Sequence, residues 1–363
     1  MERESAKEML IKARLAQLAE TNESAAIVAI KPKSKPLHIK EKQFSKMSPS
    51  SLMKFIDSGL SFEQKRDVES IGFGGLLHLK TNELPSDLCR WLLHHFNPYS
   101  SSLVFYEKQL AIELEDFYLV FGLPKIGEKI VESGSRDNDE LLVNYLEHLG
   151  KTRNELRIKD IIDKMKEQKS GGENFKRNFV MLVVSTLFRS NQKGNPQLKI
   201  LKCLRNVDLI SKFNWCQYGI ECLTDSKREW VGSSMFTGPI LALMLCYMDR
   251  VSFMGRSIER KFPLLSCWRR EDIFYRRDFE LTMAGDFGTG VVKPRLVIER
   301  NAQENISLGQ EHDTKGDSKK IGVHACSFTY RKITHWVLCV SWWKSSILEN
   351  KRQQLTSKIF TLI

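Results

Sequence analysis

The amino-acid sequence predicts a mainly α-helical globular domain with small β-hairpins, flanked by a flexible N-terminal linker and a poorly ordered C-terminal tail. Apolar residues recur at helical spacing from Ser50 onward, and Gly or Pro marks the ends of these segments. With 42% apolar residues among 363, the chain can bury a large core without metals or disulfides. We therefore assign residues 1–49 to an N-terminal helix and linker, 50–284 to a helical domain, and 285–363 to a low-order tail.

The N-terminal region combines a helical pattern with a segment that lacks a core. Residues 1 to 20 show amphipathic spacing, whereas the following residues up to Ser50 contain few large apolar side chains. Lys31, Lys33 and Lys35 fit either a nuclear-import signal or a solvated tether. The acidic residues near the N-terminus and the lack of an uninterrupted apolar segment argue against secretion.

The first part of the helical domain predicts a helix, a hairpin and a second helix. In LPSDLCRWLLHHF the apolar residues fall on one helical face. Residues 103–106 and 110–112 then predict a short hairpin. Glu115 and Asp116 follow in the first turn of a helix, where carboxylates suit the helix dipole. Gly122 and Pro124 predict its end.

The later helices carry recognisable start signals. Thr152 and Glu155 form a capping-box pattern, and residues 169–174 indicate a flexible break that could mark a subdomain joint. The segment FKRNFVMLVVSTLFRS is apolar nearly all round, as expected of a buried helix. Further helices are predicted to begin at Asn195-Pro196, to be capped by Asn214, and to begin near Thr237 and Pro239.

The helical pattern weakens beyond Gly285. Residues 285–322 are rich in Gly, Asn, Gln and charged residues, which predicts disorder. The final apolar segment from residue 324 continues no earlier pattern, and it fits either a native tail or a truncated or mis-spliced gene product. The longest strongly apolar segment, residues 239–248, is about half the roughly 20 residues that a membrane-spanning helix needs. We therefore predict no membrane span.

Two sequence blocks resemble a known family. IGFGGLLHLKTNELPSDLCRWLLHHFNPYSSSLVF followed by LAIELEDFYLVFGLP resembles the plant mobile domain, often labelled aminotransferase-like. The segments 175–230 and 236–251 are similar to later blocks of the form found in transposon-derived plant genes, where this region lies upstream of a SUMO-protease-like cysteine protease domain. The resemblance implies a nuclear, mobile-element-derived protein, and it implies no catalytic residue and no aminotransferase chemistry.

The sequence contains no complete set of catalytic residues. His335-Trp336 resembles the catalytic His of SUMO-protease-like enzymes, but no Asp follows it. The one later cysteine, Cys339, would lie about 13 Å away on the same strand. Cys89, His94 and His95 do not converge as metal ligands on a helix. GDFGTG, residues 285–290, lacks the other kinase motifs and is interpreted as a loop. We predict no catalytic, cofactor or metal site.

Basic pairs interleaved with aromatic residues are the strongest candidates for a binding site. The formal net charge of +12 favours polyanions. Arginines can contact phosphates, and aromatic rings can stack on bases. The candidate nucleic-acid contacts are Lys227, Arg228, Arg269, Arg270, Arg276 and Arg277. The alternative interpretation is that these residues form a solvated surface, because Glu229, Glu271, Asp272 and Asp278 adjoin them.

The leading hypothesis is therefore a non-catalytic module that binds nuclear proteins or nucleic acid, with no cofactor and no small-molecule substrate. The alternative is a truncated member of a cysteine protease family for ubiquitin-like modifiers, whose catalytic site is incomplete. The resemblance favours the nucleus, and the cytoplasm is the second compartment that fits the free cysteines.

Overall fold

The computed structural model describes residues 44, 47–134, 138–191, 194–232, 234–255 and 258–298 of the chain. In these residues the fold is mainly helical with two small antiparallel sheets, which confirms the predicted fold class. The described residues all fall within one of the two units into which the chain divides, Met1–Glu299, so the expected joint near 169–174 lies inside that unit. The predicted N-terminal helix and most of the linker, together with His335 and Cys339, lie outside the described residues.

The helices and strands follow one another in a mixed order. The α-helices are α1 Ser50–Asp57, α2 Phe62–Ser70, α3 Ser86–His95, α4 Leu114–Phe121, α5 Glu140–Leu149, α6 Ile158–Glu167, α7 Glu173–Val183, α8 Trp215–Glu229, α9 Ile240–Arg250 and α10 Arg270–Ala284. The 3₁₀ helices are η1 Gly74–His78, η2 Leu198–Leu204, η3 Val207–Lys212 and η4 Leu264–Ser266. The strands are β1 Phe96–Asn97, β2 Ser102–Phe105, β3 Lys108–Ala111, β4 Val251–Ser252 and β5 Val291–Val292.

Two helices are buried around their whole circumference. Helix α7 continues into a π-helical turn, Val184–Phe188, and every side chain from Arg177 to Phe188 is buried. Helix α9 buries every residue from Ile240 to Asp249 and packs against α3 and α4. A helix that is apolar on all sides is stable only inside a core. The sequence interpretation of the segment around α7 as a central helix is therefore confirmed.

Glycines allow η1 to approach the end of α4. Gly122 ends α4 in the left-handed conformation, with φ of 67°, as predicted. A Cβ added to Gly75 would collide with the carbonyl oxygen of Phe121. A Cβ added to Gly72, whose φ is +80°, would lie 2.6 Å from Cγ of Pro124. The two blocks that carry the family resemblance thus contact each other through backbone surfaces that only glycine provides.

The ordered body extends beyond the predicted domain boundary at residue 284. Strand β5 pairs with β4, Val292 opposite Val251, and Phe287 is buried. Residues 285–298, which the sequence assigned to a low-order tail, therefore belong to this body, because they bond to α9 and α10. The poor helical pattern of this segment reflects an extended path over the core.

Two predicted start signals are corrected by the structure. Thr152 and Glu155 do bond to each other, with Thr152 Oγ1 donating to Glu155 Oε2 over 2.7 Å, but they close a separate turn. Helix α6 begins at Ile158, where the Asp160 carboxylate accepts the Arg157 amide over 2.8 Å. The apolar spacing of three at Leu198, Leu201 and Leu204 produces the 3₁₀ helix η2.

We predict that Gly75→Ala lowers the free energy of unfolding by about 2 kcal/mol or more, because the new methyl group overlaps the Phe121 carbonyl and the backbone must shift. Urea unfolding followed by circular dichroism measures the change. Gly134→Ala is the matched control, since a Cβ there meets nothing within 4 Å. Equal stability of the two variants would contradict the close approach.

Candidate nucleic-acid interface

The six predicted cations separate into two groups in the fold. Lys227 and Arg228 lie in the last turn of α8, whereas Arg269, Arg270, Arg276 and Arg277 lie at the start and along α10. Both groups lie close to helix α3. Asp87 at its start pairs with Arg277, and His94 at its end contacts Trp230 beside Lys227.

The cations of α10 are engaged by carboxylates. Arg276 is buried and donates to Glu280 Oε2 over 3.1 Å, so it is not available to a nucleic acid. Arg277 Nε donates to Asp87 Oδ2 over 2.8 Å, and its guanidinium also pairs with Asp278. Arg270 Nε donates to Glu83 Oε2 over 2.7 Å. These acids neutralise the positive field that the sequence pattern indicated.

Arg269 remains exposed at the start of α10. It borders an open groove with a volume of about 400 Å³, together with apolar and mixed-charge side chains. The other lining residues are Met53, Asp57, Leu77, His78, Leu79, Lys80 and Glu271. Because Asp57 and Glu271 offset Lys80 and Arg269, this groove has no net preference for phosphate.

Lys227 forms one half of a basic and aromatic surface. Its Nζ lies 4.7 Å from the centre of the Trp230 ring, and the His94 ring meets the same tryptophan edge to face with centres 5.3 Å apart. The indole Nε1 donates to the Ser234 carbonyl over 3.0 Å, which fixes the ring. Burial, followed by the charge of Lys227, lowers the pKa of His94 below its ordinary value. The imidazole is therefore mainly neutral at pH 7.

Arg228 and Tyr99 form the other half. Tyr99 is 85% exposed in the turn between β1 and β2, and the Arg228 guanidinium lies 5.7 Å from its ring centre. Arg228 also pairs with Asp225 at 3.0 Å, and the Arg228 side chain stays 46% exposed. We call His94, Tyr99, Lys227, Arg228 and Trp230 the α3–α8 patch. The sequence interpretation named the two cations and the aromatic residues interleaved with the basic pairs, but it did not consider Tyr99 and it considered His94 only as a metal ligand.

Most of the net positive charge of the chain is carried by residues outside the described ones. The described residues contain 33 lysines and arginines and 31 aspartates and glutamates, against 56 and 44 in the whole chain. The described body is therefore close to neutral. A nucleic acid that binds it must rely on ring stacking and a few cations rather than on a broad positive field.

One deeply buried charged group joins three segments of the fold. The Asp116 carboxylate, 2% exposed, accepts from Arg250 Nη1 over 3.1 Å and from Arg295 Nε and Nη2, each over 2.9 Å. It also accepts the Glu113 amide over 2.8 Å. We call this set the Asp116 cluster. The sequence interpretation assigned Asp116 to the helix dipole and missed both arginines, which lie 134 and 179 residues away.

A second buried acid is also fully engaged by its neighbours. Glu280 Oε1 accepts from the Tyr247 hydroxyl over 2.6 Å and from the Gly288 amide over 3.0 Å. The carboxylate therefore fixes the GDFGTG loop to α9, as expected of a structural loop. Burial raises the pKa of Tyr247. This arrangement holds the loop in place.

The buried cysteines of the described body are poor nucleophiles. Burial raises the pKa of Cys216 and of Cys222 to about 12, and it raises the pKa of Cys89 and Cys246 as well. A thiol must ionise to attack a carbonyl carbon, so these side chains do not supply a thiolate at neutral pH. Among the described residues, no group of three His, Cys, Asp or Glu side chains is arranged to hold a metal ion.

Comparison with known sequences places most of this body in one family. A sequence model of the family described as "Domain of unknown function (DUF8566)" matches residues 45–244, more than half of the chain. The chain belongs to this family. The DUF8566 match covers α1 to α8 and the first part of α9, so it includes Asp116 and the whole α3–α8 patch. Arg250, α10 and Arg295 lie beyond it.

The other comparisons add no relative. Neither the curated proteins nor the solved structures gave a match to this DUF8566 chain. Across the part of the chain that the structure describes, no helix has both the length and the apolar character needed to cross a bilayer.

We predict that Asp116→Asn lowers the free energy of unfolding by about 3 kcal/mol, because it removes the carboxylate that pairs with the largely buried Arg250 and one of the two carboxylates that pair with Arg295. Chemical denaturation measures the loss.

Glu115→Gln is the matched control on the same helix. Its partner Lys125 is 2.8 Å away, but the Glu115 side chain is 40% exposed, so the change should cost less than about 1 kcal/mol. A loss for Asp116→Asn no greater than that of Glu115→Gln would show that the Asp116 cluster does not stabilise the fold.

Proposed function

We propose that this chain is a non-catalytic helical module that binds single-stranded nucleic acid through the α3–α8 patch. The observation that carries the proposal is the pairing of rings with cations on one surface: Lys227 beside Trp230, and Arg228 beside the projecting ring of Tyr99. Rings of this kind stack on unpaired bases of any sequence, and the adjacent cations contact the phosphates. A duplex hides its base faces, so single strands should bind more tightly.

The family resemblance supports the same proposal. We infer that the chain is a plant mobile domain protein derived from a mobile element, and that it acts in the nucleus. The two resembling blocks contain the residues of the glycine contact between Gly75 and Phe121, so both blocks take part in the same packing contact. The first block also supplies His94 and Tyr99.

We predict that Tyr99→Ala weakens binding of a fluorescein-labelled oligo(dT) of about 20 nucleotides at least about fivefold, because one stacked base is lost. Fluorescence anisotropy with the full chain measures the affinity. Tyr275→Ala is the matched control, since Tyr275 is also largely exposed but lies on α10 outside the patch.

The salt dependence separates the patch from the rest of the chain. Lys227 and Arg228 contribute two phosphate contacts, so the logarithm of the affinity should fall with the logarithm of salt concentration with a slope of about −1.4. Asp225→Asn should tighten binding, because it releases Arg228 from its carboxylate partner. The slope could instead be much steeper and stay the same in the Lys227→Ala and Arg228→Ala variants. That result would assign the binding to the basic residues outside the described body, and it would contradict binding through the α3–α8 patch.

A further inference from the structure

The two 3₁₀ helices η2 and η3 present a basic edge to solvent. A 3₁₀ helix has three residues per turn, so every third side chain lies on the same edge. In η2 and the residue after it, this places Lys199, Lys202 and Arg205 in one row, while Ile200, Leu201 and Leu204 face the core. In η3 the exposed pair at the same spacing is Leu209 and Lys212.

The segment from residue 126 to 133 runs alongside these two helices. The Glu128 amide donates to the Lys212 carbonyl over 2.8 Å, and the Ser133 amide donates to the Lys199 carbonyl over 3.0 Å. Between them, Cys203 Sγ bonds to the Val131 carbonyl over 3.3 Å. These contacts at both ends and in the middle join the extended segment and the 3₁₀ helices into one continuous surface.

Three aliphatic side chains project from this surface. Ile126 is 82% exposed, Val131 63% and Leu209 47%. All three lie on the two segments that these hydrogen bonds join, with Ile126 two residues before Glu128 and Leu209 three residues before Lys212. We call Ile126, Val131, Lys199, Arg205, Leu209 and Lys212 the η2–η3 surface.

The charges of the η2–η3 surface are only partly balanced. Lys129 pairs with Glu221 at 3.0 Å, and Lys202 faces Asp139 at 3.8 Å. In the described part of the chain no carboxylate pairs with Lys199, Arg205 or Lys212. The exposed acids on the same segments are Glu128 and Asp208. The surface therefore keeps an excess of positive charge next to its aliphatic side chains.

This combination fits a peptide better than a nucleic acid. Aliphatic side chains gain free energy when other apolar groups cover them, at about 25 cal/mol per Å². They offer no ring on which a base could stack. An acidic peptide with Leu, Ile or Val between its carboxylates satisfies both the apolar and the charged part of the surface.

We propose that the η2–η3 surface docks an acidic, aliphatic peptide segment of another protein. The aliphatic side chains of that segment pack on Ile126, Val131 and Leu209, and its carboxylates pair with Lys199, Arg205 and Lys212. This site is separate from the α3–α8 patch in residues and in chemistry, so each proposal can fail without the other.

The test uses the full chain and a fluorescein-labelled peptide of about 15 residues in which Leu and Glu alternate in short blocks, followed by fluorescence anisotropy. A second peptide with Lys in place of Glu controls for nonspecific apolar binding. We expect saturable binding of the Glu peptide and little binding of the Lys peptide. Leu209→Asp and Arg205→Glu should each weaken binding about tenfold, the loss expected for one covered aliphatic side chain or one reversed charge.

Matched changes outside the surface check its specificity. Val231→Asp replaces another largely exposed aliphatic residue, and Lys65→Glu reverses another exposed charge, so both should leave the affinity unchanged. All four substitutions are at exposed positions, and circular dichroism with thermal unfolding should show an intact fold.

Several results would overturn the proposal. One is that the Glu peptide shows no saturable binding. Another is that it binds the Leu209→Asp and Arg205→Glu variants as tightly as the unchanged chain. If Arg205→Glu weakens the binding of oligo(dT) and Leu209→Asp does not, the surface binds phosphate instead of a peptide. If sedimentation velocity shows self-association and Leu209→Asp abolishes it, the surface binds a second copy of the chain.

Discussion

The fold depends on a buried carboxylate that must keep its two cations. Asp116 lies at the start of α4, where it accepts from Arg250 at the end of α9 and from Arg295 beyond β5. Arg250 donates in turn to the Ala111 carbonyl of β3. A charge this deeply buried is tolerated only when it is paired and hydrogen-bonded, so the hairpin, α9 and the last described segment must assemble together. The DUF8566 match contains the acid, whereas both cations come from the residues that follow it.

The buried carboxylates of the described body are engaged by neighbouring side chains and amides. Glu280 is bonded by Tyr247, Arg276 and Gly288, and Asp249 is paired with Arg260 Nε at 2.7 Å. The groups that we propose for binding other molecules lie on the exterior. They form two surfaces of different chemistry: rings with cations at the ends of α3 and α8, and aliphatic side chains with cations along η2 and η3. A module with two such surfaces could join a nucleic acid to a protein.

Local signals in the sequence predicted most of the helices but not the environment of each side chain. Gly122 and Asn214 were predictable because a left-handed C-terminus and an N-cap depend on neighbouring residues. Arg276 and Arg277 look alike in sequence, yet one is buried on Glu280 and the other pairs with Asp87 from a distant helix. The basic edge of η2 was missed because its spacing of three was interpreted as an ordinary helix. Packing against other elements and long-range pairing, rather than local propensity, determined which of the candidate cations stay exposed.

Native-state hydrogen exchange at the amides of Gly288 and Lys293 tests most directly whether the Asp116 cluster makes the last described segment part of the core. The Lys293 amide donates to the Arg250 carbonyl over 2.7 Å, and the Gly288 amide donates to Glu280. We expect both to exchange only through global unfolding, with the same opening free energy as the amides of α9. Exchange of these two amides more than about a hundredfold faster, while α9 stays protected, would contradict the account.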